Sequence, residues 1–214
     1  MKFSLLSLLQ DKDKITLKCF LCFLCFIFLL CVFGCDTKQE PPSNNISKLH
    51  FNIIPDLLGP KIINNTSKFE FNSPKFLIAS LKDSLAFLRH KFEEIDNDSL
   101  TLSLLYVFMD SSKNNSLLIS EIAFPEDSNF ILLDKYEKIL NNRKLFVEAK
   151  KSRFFKDDIL ISQFIFNKEE YVFIKIVFET QINKLIQFDF VLALKEYKNE
   201  VRSVESSIGS IVLL

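Results

Sequence analysis

The stretch ILISQFIFNKEEYVFIKIVFETQINKLIQFDFVLAL, from Ile159 to Leu194, decides the fold of this chain. It divides into three runs rich in β-branched and aromatic residues: Ile159–Asn167, Tyr171–Glu179 and Leu185–Leu194. The polar linkers between them, Lys168-Glu169-Glu170 and Thr180 to Lys184, have the length of hairpin connections. The sequence therefore predicts three neighbouring antiparallel strands.

Alternation along these runs predicts which side chains share a face of the sheet. In the last run, Gln187 and Asp189 face away from the apolar set, and Val191 and Ala193 follow them on their side. The apolar sets are Ile186, Phe188, Phe190, Leu192 and Leu194 in the last run, and Val172, Ile174, Ile176 and Phe178 in the middle run. Several strands are apolar on both faces, so we expect helices to cover one or both sides of the sheet.

Downstream of the meander, the spacing of apolar residues predicts a C-terminal helix from about Glu196. Its stripe comprises Tyr197, Val201, Val204, Ile208 and Ile211, with Gly209 as a mild interruption.

Upstream, Leu100–Met109 and Leu117–Phe124 read as two strands joined by the polar turn Asp110–Ser116. A helix is predicted from about Asn129 to Asn142, followed by a short strand at Leu145–Ala149.

The first part of the domain predicts one further helix. Ser73 is placed at the N-cap and Pro74 at the first helical position, and an apolar stripe then continues to about Glu94. Before it, Phe69-Glu70-Phe71 alternates as a first strand. Residues 51–54 are interpreted as a short strand and Asp56–Pro60 as a turn.

These elements together predict an α+β fold, with an antiparallel sheet of about five to seven strands and helices on one or both faces. Their order resembles the PsbP-like (Mog-type) fold over residues 69–214. Two stretches carry the likeness, Phe69-Glu70-Phe71-Asn72-Ser73-Pro74 and Val204-Glu205-Ser206-Ser207-Ile208. The resemblance implies an α/β/α sandwich. It also implies a non-enzymatic role, because members of that family serve mostly as assembly factors, extrinsic subunits and binding modules.

The N-terminal region is typical of a secretory leader. Lys12, Lys14 and Lys18 precede an uncharged apolar run from Cys19 to Gly34. Val32-Phe33-Gly34-Cys35 resembles the lipobox of bacterial lipoproteins, and the bulky Phe33 is similar to the looser spirochaete type. The resemblance implies cleavage after Gly34 and lipidation of Cys35. An uncleaved transmembrane anchor is the alternative, since the run is at the short limit of a membrane span.

This assignment predicts three segments: a signal peptide at 1–34, the lipidated Cys35 with a flexible tether to residue 48, and a single globular domain at 49–214. The 13 tether residues 36–48 would reach roughly 20 Å. Cys19, Cys22, Cys25 and Cys31 lie in the leader, where an apolar run explains them better than a metal site does.

Composition excludes several functional classes. Residues 35–214 carry 23 basic and 25 acidic side chains, a net charge of about −2. This balance argues against a nucleic-acid partner, which would require a basic face. Gly59 and Gly209 are the only glycines after the leader, so a glycine-rich phosphate loop or nucleophile elbow cannot be built.

Five charged groupings are candidate sites. His90 and Glu94, with Glu93 beside them, could supply metal ligands from one helix face, but His50 does not complete a cluster. The acid pairs, placed at turns where carboxylates are solvated, are Asp157-Asp158, Glu169-Glu170 and Asp96 with Asp98. The basic run Lys150-Lys151 with Arg153 could contact anionic headgroups or an acidic partner, and a solvated loop explains it more simply. We therefore expect no catalytic, cofactor-binding or metal-binding residue.

The sequence predicts a lipid-anchored binding or assembly module of the bacterial cell envelope, without catalysis. The expected contacts are the cell membrane or outer membrane, through lipid on Cys35, and a protein partner. The 24 phenylalanines leave open a carrier of a small apolar ligand. An enzyme with no recognisable site is a further alternative.

Overall fold

The meander predicted from residues 159–194 forms the centre of the structure. The computed structural model describes residues 46–80, 100–112, 114–124, 132–142 and 148–214, which belong to a compact unit from Asn45 to Leu214. The strands in these ranges are, in chain order, β1 (Ser47–Lys48), β2 (Leu58–Asn64), β3 (Phe69–Pro74), β4 (Ile78–Ala79), β5 (Thr101–Met109), β6 (Ser116–Ala123), β7 (Lys150–Lys156), β8 (Ile159–Lys168), β9 (Tyr171–Glu179), β10 (Leu185–Ala193) and β11 (Val212–Leu213). The helices are a 3₁₀ turn (Pro55–Leu57), α1 (Leu132–Asn141) and α2 (Tyr197–Gly209).

The strands of the described ranges form two sheets. The larger has eight strands in the order β1-β7-β8-β9-β10-β6-β5-β4, and the smaller has the order β11-β3-β2. Neighbouring strands pair antiparallel, except that β1 runs parallel to β7. The terminal strands β1 and β4 have two residues each, so the six longer strands make up the body of the larger sheet. The α+β class, the antiparallel sheet and the strands on either side of each predicted hairpin are confirmed.

The larger sheet is covered on both faces, as its two-sided apolar pattern predicted. One face, here the α2 face, carries Phe188 and Ile176 and packs against α2 and the smaller sheet. The opposite α1 face carries Val177 and Val191 and packs against Leu133, Tyr136 and Leu140 of α1. The predicted division of β10 between the faces is therefore confirmed for Ile186, Phe188, Phe190 and Leu192.

Phenylalanine rings fill the layer between the two sheets. Phe71 lies at the centre, with its ring centroid 4.9 Å from that of Phe188 and 6.1 Å from that of Phe108. Phe69 packs edge-on against Phe178 at 6.1 Å. Tilted and edge-on aromatic pairs of this kind stabilise a core beyond their buried area. These phenylalanines, part of the set that motivated the carrier hypothesis, are packed against one another.

A serine stripe fastens α2 to the smaller sheet and to the chain before it. Ser207 Oγ donates to the Asn72 carbonyl at 2.6 Å, and Ser203 Oγ donates to the Leu57 carbonyl at 3.0 Å. Ser210 Oγ accepts from the Asn72 N–H at 2.8 Å. Serines at 203, 206, 207 and 210 recur at helical spacing, so they share one face of α2.

The predicted helix start at Ser73-Pro74 is wrong. Both residues end β3, where Leu58 pairs with Pro74, and Ser73 is buried. The alternation Phe69-Glu70-Phe71 continues to Ser73, and sheet pairing overrides the capping signal because it buries two phenylalanines. Within the predicted helix, Ile78–Ala79 instead form β4, and its remaining residues from 81 to about 94 lie outside the described residues.

Two of the longer strands were missed. The predicted turn at Asp56–Pro60 is instead the 3₁₀ turn followed by β2. Pro60 lies in this edge strand, beside a register irregularity between Leu58 and Lys61, where its lack of an N–H is tolerated. Residues 51–54, predicted as a strand, are assigned to no strand.

The other missed strand is β7. It begins at Lys150, after the predicted short strand at Leu145–Ala149, of which residues 145–147 lie outside the description. The interpretation of Lys150-Lys151 and Arg153 as a loop is therefore wrong. Lysines at an edge strand are common because they discourage pairing with other chains, and they obscure the strand pattern.

The two helices agree with the prediction where they are described. The helix α1 lies within the predicted 129–142, of which residues 129–131 are outside the description. The helix α2 begins one residue after Glu196 but ends at Gly209, and Val212–Leu213 then pairs with β3. The predicted extension to Ile211 is thus replaced by β11.

Candidate functional site

A groove runs between α2 and the extended segment 49–54, over strands β8 and β9 of the larger sheet. Its volume is about 320 Å³. It is lined by Leu49, His50, Phe51 and Asn52, by Gln163, Ile165 and Ile174 of the sheet, and by Tyr197, Val201, Val204, Glu205 and Ile208 of α2.

The segment that forms one wall of the groove is held at both ends. The Leu49 N–H donates to the Phe155 carbonyl at 2.8 Å, which extends the β1–β7 pairing by one residue. At the other end, the Ile54 N–H donates to Ser206 Oγ of α2 at 3.2 Å. The wall is therefore fixed by hydrogen bonds at two points five residues apart.

Between these points, Phe51 closes the inner side of the groove. The Phe51 ring lies 5.7 Å from that of Phe154, and the Phe51 Cβ packs directly over Gly209. A Cβ at Gly209 would lie 2.6 Å from the Phe51 Cβ and 3.0 Å from Ile53 Cγ1. Glycine is thus required here by close approach, and this explains its presence in the last turn of α2.

The groove has an apolar floor and a polar rim. Ile174, Val204 and Ile208 are buried, and Ile165 is half-buried. His50 and Glu205 stand exposed on the rim. Sites for small apolar groups combine a mostly apolar lining with a few polar groups that orient the bound molecule. This arrangement can bind an apolar group from solution, with polar contacts at the edge.

A second polar feature lies inside the protein, on the α1 face of the sheet. Lys175 of β9 and Asp189 of β10 are directly opposite one another in register, and Lys175 Nζ lies 2.5 Å from Asp189 Oδ1. Gln187 Nε2 donates to the other Asp189 oxygen, and Tyr136 of α1 donates its hydroxyl to Gln187 Oε1. The chain of four polar groups is buried and satisfied.

This network was only partly visible in the sequence. Alternation placed Gln187 and Asp189 on the face opposite Phe188, which is confirmed, but Lys175 was not singled out. The signal in the sequence was a lysine in the middle of the otherwise apolar run Tyr171–Glu179, which indicates a charge that needs a buried partner. Buried charge pairs of this kind are best attested as devices that specify register and partner strands.

A third polar group ties the β5–β6 hairpin to the start of α2. Asn115 Nδ2 donates to Asp110 Oδ2 at 2.7 Å and to Glu196 Oε2 at 2.5 Å, and Asn115 Oδ1 accepts from the Ala193 N–H at 2.8 Å. Burial, with the nearby charges of Glu196 and Asp110, raises the pKa of Glu200 above its ordinary value. An opening of about 430 Å³ lies nearby, lined by Asn114, Glu170, Tyr171, Ala193, Leu194 and Lys195.

The structure separates the groupings that the sequence singled out. Asp157-Asp158 and Glu169-Glu170 form the two-residue turns β7–β8 and β8–β9, as predicted. Asp157 and Glu169 adopt positive φ, 52° and 54°, in a chain that offers few glycines for such positions. The hydrogen bond from Lys156 and its charge lower the pKa of Asp157. Cys35, His90, Glu93, Glu94, Asp96 and Asp98 lie outside the described residues.

The basic run is divided between two environments. Arg153 Nη2 lies 2.6 Å from Asp134 Oδ1 and 2.9 Å from Glu137 Oε1 of α1. Burial opposes the charge on Arg153, but these hydrogen bonds and charges prevail and raise its pKa. Lys150 and Lys151 are exposed. Arg153 therefore holds α1 on the sheet, and only the two lysines face solvent.

The described ranges contain neither a metal-binding cluster nor a helix that could span a membrane. Across these ranges no three His, Cys, Asp or Glu side chains are placed to hold one metal ion. No helix in the same ranges has both the length and the apolar character needed to cross a membrane.

No protein-family model matches the chain, and no curated protein matches it. Among solved structures, it is similar to cyanobacterial PsbP (CyanoP) from Synechocystis sp. PCC 6803, with 15% identity and a TM-score of 0.46, over 72% of this chain and 92% of that chain. It is also similar to a protein from Bacteroides thetaiotaomicron VPI-5482, with 13% identity and a TM-score of 0.40. That match covers 73% of this chain and 48% of the other, so the chain spans about half of that protein. The predicted likeness to the PsbP-like fold is supported as a weak fold resemblance, and it bears on the fold alone.

Proposed function

We propose that the chain is a lipid-anchored binding module of the bacterial cell envelope, without catalytic activity, attached to the cell membrane or outer membrane through Cys35. The groove between α2 and segment 49–54 is its binding site. The single observation that supports this function is the apolar floor of Ile174, Val204 and Ile208 beneath an exposed polar rim.

The occupant that fits best is one or two apolar side chains of a protein partner. A volume of about 320 Å³ is at the lower limit of pockets that bind whole small molecules. Insertion of a few apolar side chains into such a pocket, surrounded by polar contacts, is how most protein interfaces obtain their affinity. His50 and Glu205 on the rim would then contact polar groups of the partner.

The test is site-specific photo-crosslinking in intact envelopes. Benzoylphenylalanine replaces Glu205, which lies on the rim, or Arg202, which is exposed on α2 and outside the groove lining. We expect the same protein to crosslink from position 205 and not from position 202. Crosslinking of a small molecule from position 205 would favour the carrier alternative, and equal crosslinking from both positions would contradict the proposal.

A groove-filling variant sharpens this test. Val201→Phe adds a ring inside the groove, whereas Val212→Phe adds the same ring on the exposed strand β11. Crosslinking from position 205 should fall at least fivefold in Val201→Phe and remain unchanged in Val212→Phe. An unchanged yield in both variants would remove the groove as the binding site.

A further inference from the structure

The edge of the larger sheet at which the chain enters carries exposed apolar and basic side chains. This edge comprises β1 with its flanking residues and the start of β7, and is here called the tether edge: Ile46, Lys48, Leu49, Lys150 and Lys151. Ile46 is 36% exposed, and Leu49, which also lines the groove, is 43% exposed. The three lysines are exposed and form no ion pair with the described residues.

Strand direction shows from which side the chain enters this edge. β1 runs parallel to β7, with Ser47 opposite Phe154, so the chain enters β1 from the side on which β7 begins. Lys150 lies four residues before Phe154, about 13 Å along the strand. Cys35 and Ser47 are separated by 11 residues, a reach of roughly 20 Å. This step rests on the proposed lipidation of Cys35.

We propose that the tether edge rests on an anionic bilayer surface, with Ile46 and Leu49 at the headgroup boundary and the three lysines against lipid phosphates. Exposed apolar side chains combined with lysines are the chemistry of interfacial membrane binding. Glu148, also exposed, reduces the local charge from three positive groups to a net of two. Asp157 also interacts with the charge of Lys48, but Lys156 neutralises it. Arg153 does not contribute, because Asp134 and Glu137 neutralise it.

The alternative explanation is that the lysines only protect the unpaired edge at the start of β7 from pairing with other chains. The two explanations differ in whether anionic lipid slows hydrogen exchange at this edge. A tethered domain meets the bilayer at high effective concentration, so weak contacts are enough for docking.

The test is hydrogen exchange of the full chain purified from membranes and reconstituted into vesicles. Vesicles of phosphatidylglycerol and phosphatidylcholine are compared with vesicles of phosphatidylcholine alone, and vesicle-bound protein is collected by flotation. We expect amides of residues 46–49 and 150–153 to exchange at least fivefold more slowly on the anionic vesicles. Equal exchange on the two lipids overturns the proposal.

Two charge-matched variants complete the experiment. Lys150→Gln with Lys151→Gln should abolish the lipid-dependent protection. Lys75→Gln with Lys198→Gln removes two exposed lysines elsewhere and should preserve it. Equal loss in both variants would show a net-charge effect and contradict the assigned edge. The intact mass of the same samples reports separately on acylation of Cys35, so failure of the anchor and failure of the edge are distinguishable.

Discussion

Lys175 and Asp189 face each other across β9 and β10, with their charged atoms 2.5 Å apart and their side chains 2% and 8% exposed. The pair lies among apolar residues of the α1 face, and Gln187 completes the coordination of the carboxylate. In an interior of low polarity, each charge depends on the other, because neither can be solvated by water. The energetic consequence of losing one partner is therefore large.

We expect Lys175→Met to lower the free energy of unfolding by about 3–5 kcal/mol, since it leaves the Asp189 carboxylate buried without its cation. Urea-induced unfolding followed by circular dichroism measures this change. Lys195→Met is the matched control, because Lys195 is 73% exposed and its loss should cost less than about 1 kcal/mol.

The double variant Lys175→Met with Asp189→Leu separates charge from packing. Replacing both members of a buried pair by apolar residues is often neutral or stabilising, so the double variant should be more stable than Lys175→Met alone. A double variant less stable than the single one would contradict this account of the pair.

Gly209→Ala tests the contact between α2 and the groove wall. Helix propensity alone favours alanine by roughly 1 kcal/mol, but the added Cβ would lie 2.6 Å from the Phe51 Cβ. Overpacking of this kind costs about 1–3 kcal/mol, and we therefore expect a net loss of stability in thermal unfolding. A stabilised variant would show that segment 49–54 can move away from the added methyl group without loss of stability.

Ser207→Ala tests the serine stripe of α2. Ser207 is fully buried and donates to the Asn72 carbonyl at 2.6 Å, so its removal should cost about 1–2 kcal/mol. Ser152→Ala is the control. Its hydroxyl donates to Gln163 at an exposed site, where a change within about 0.5 kcal/mol is expected. Equal effects in denaturant titrations would refute a special role for the stripe.

Glu200 makes stability depend on pH. Burial and the charges of Glu196 and Asp110 raise its pKa in the folded state above the ordinary value of 4.5. The folded state then holds the Glu200 proton more tightly than the unfolded state does. The stability that this proton contributes is therefore lost as pH rises from 4.5 through the raised pKa.

We therefore expect Glu200→Gln to raise the Tm at pH 7 and to leave it nearly unchanged at pH 3, where the carboxyl is protonated in both states. Glu205→Gln, at an exposed position of the same helix, serves as the control and should change the Tm little at either pH. An equal rise at pH 3 and pH 7 in Glu200→Gln would exclude the proposed charge effect.

Cys35→Ala tests the anchor. Removal of the thiol removes the acceptor of the lipid, and we expect palmitate labelling to disappear and the precursor to remain uncleaved. Labelling and gel mobility in bacterial cells measure both. Cys31→Ala, in the same apolar run, should label as the unmodified chain does. Persistent labelling of Cys35→Ala would refute the lipobox assignment.

Local patterns predicted the elements whose residues alternate or repeat strongly. The meander β8–β9–β10 and the helix α2 agree with prediction because their buried residues recur at the period of a strand or of a helix. Ser73-Pro74 misled the prediction because a capping signal says nothing about a pairing partner. β2 carries a proline and β7 carries four basic residues, so neither shows a strand pattern until a neighbouring strand pairs with it.

The candidate groove could not be predicted, because its lining comes from segments far apart in the chain. His50 completes no cluster in the sequence, and Gln163, Val204 and Glu205 carry no motif that links them. What brings them together is the hydrogen bond from Ile54 to Ser206 and the close approach of Phe51 to Gly209.

The sequence by itself determined the α+β class and the faces of the central strands, because those depend on periodicities of two and 3.6 residues that are written locally. Only the tertiary structure decided which distant side chains meet. The Lys175–Asp189 pair, the serine contacts of α2 and the groove all depend on register and packing between elements. Those are set by the whole core at once, and no single stretch of sequence encodes them.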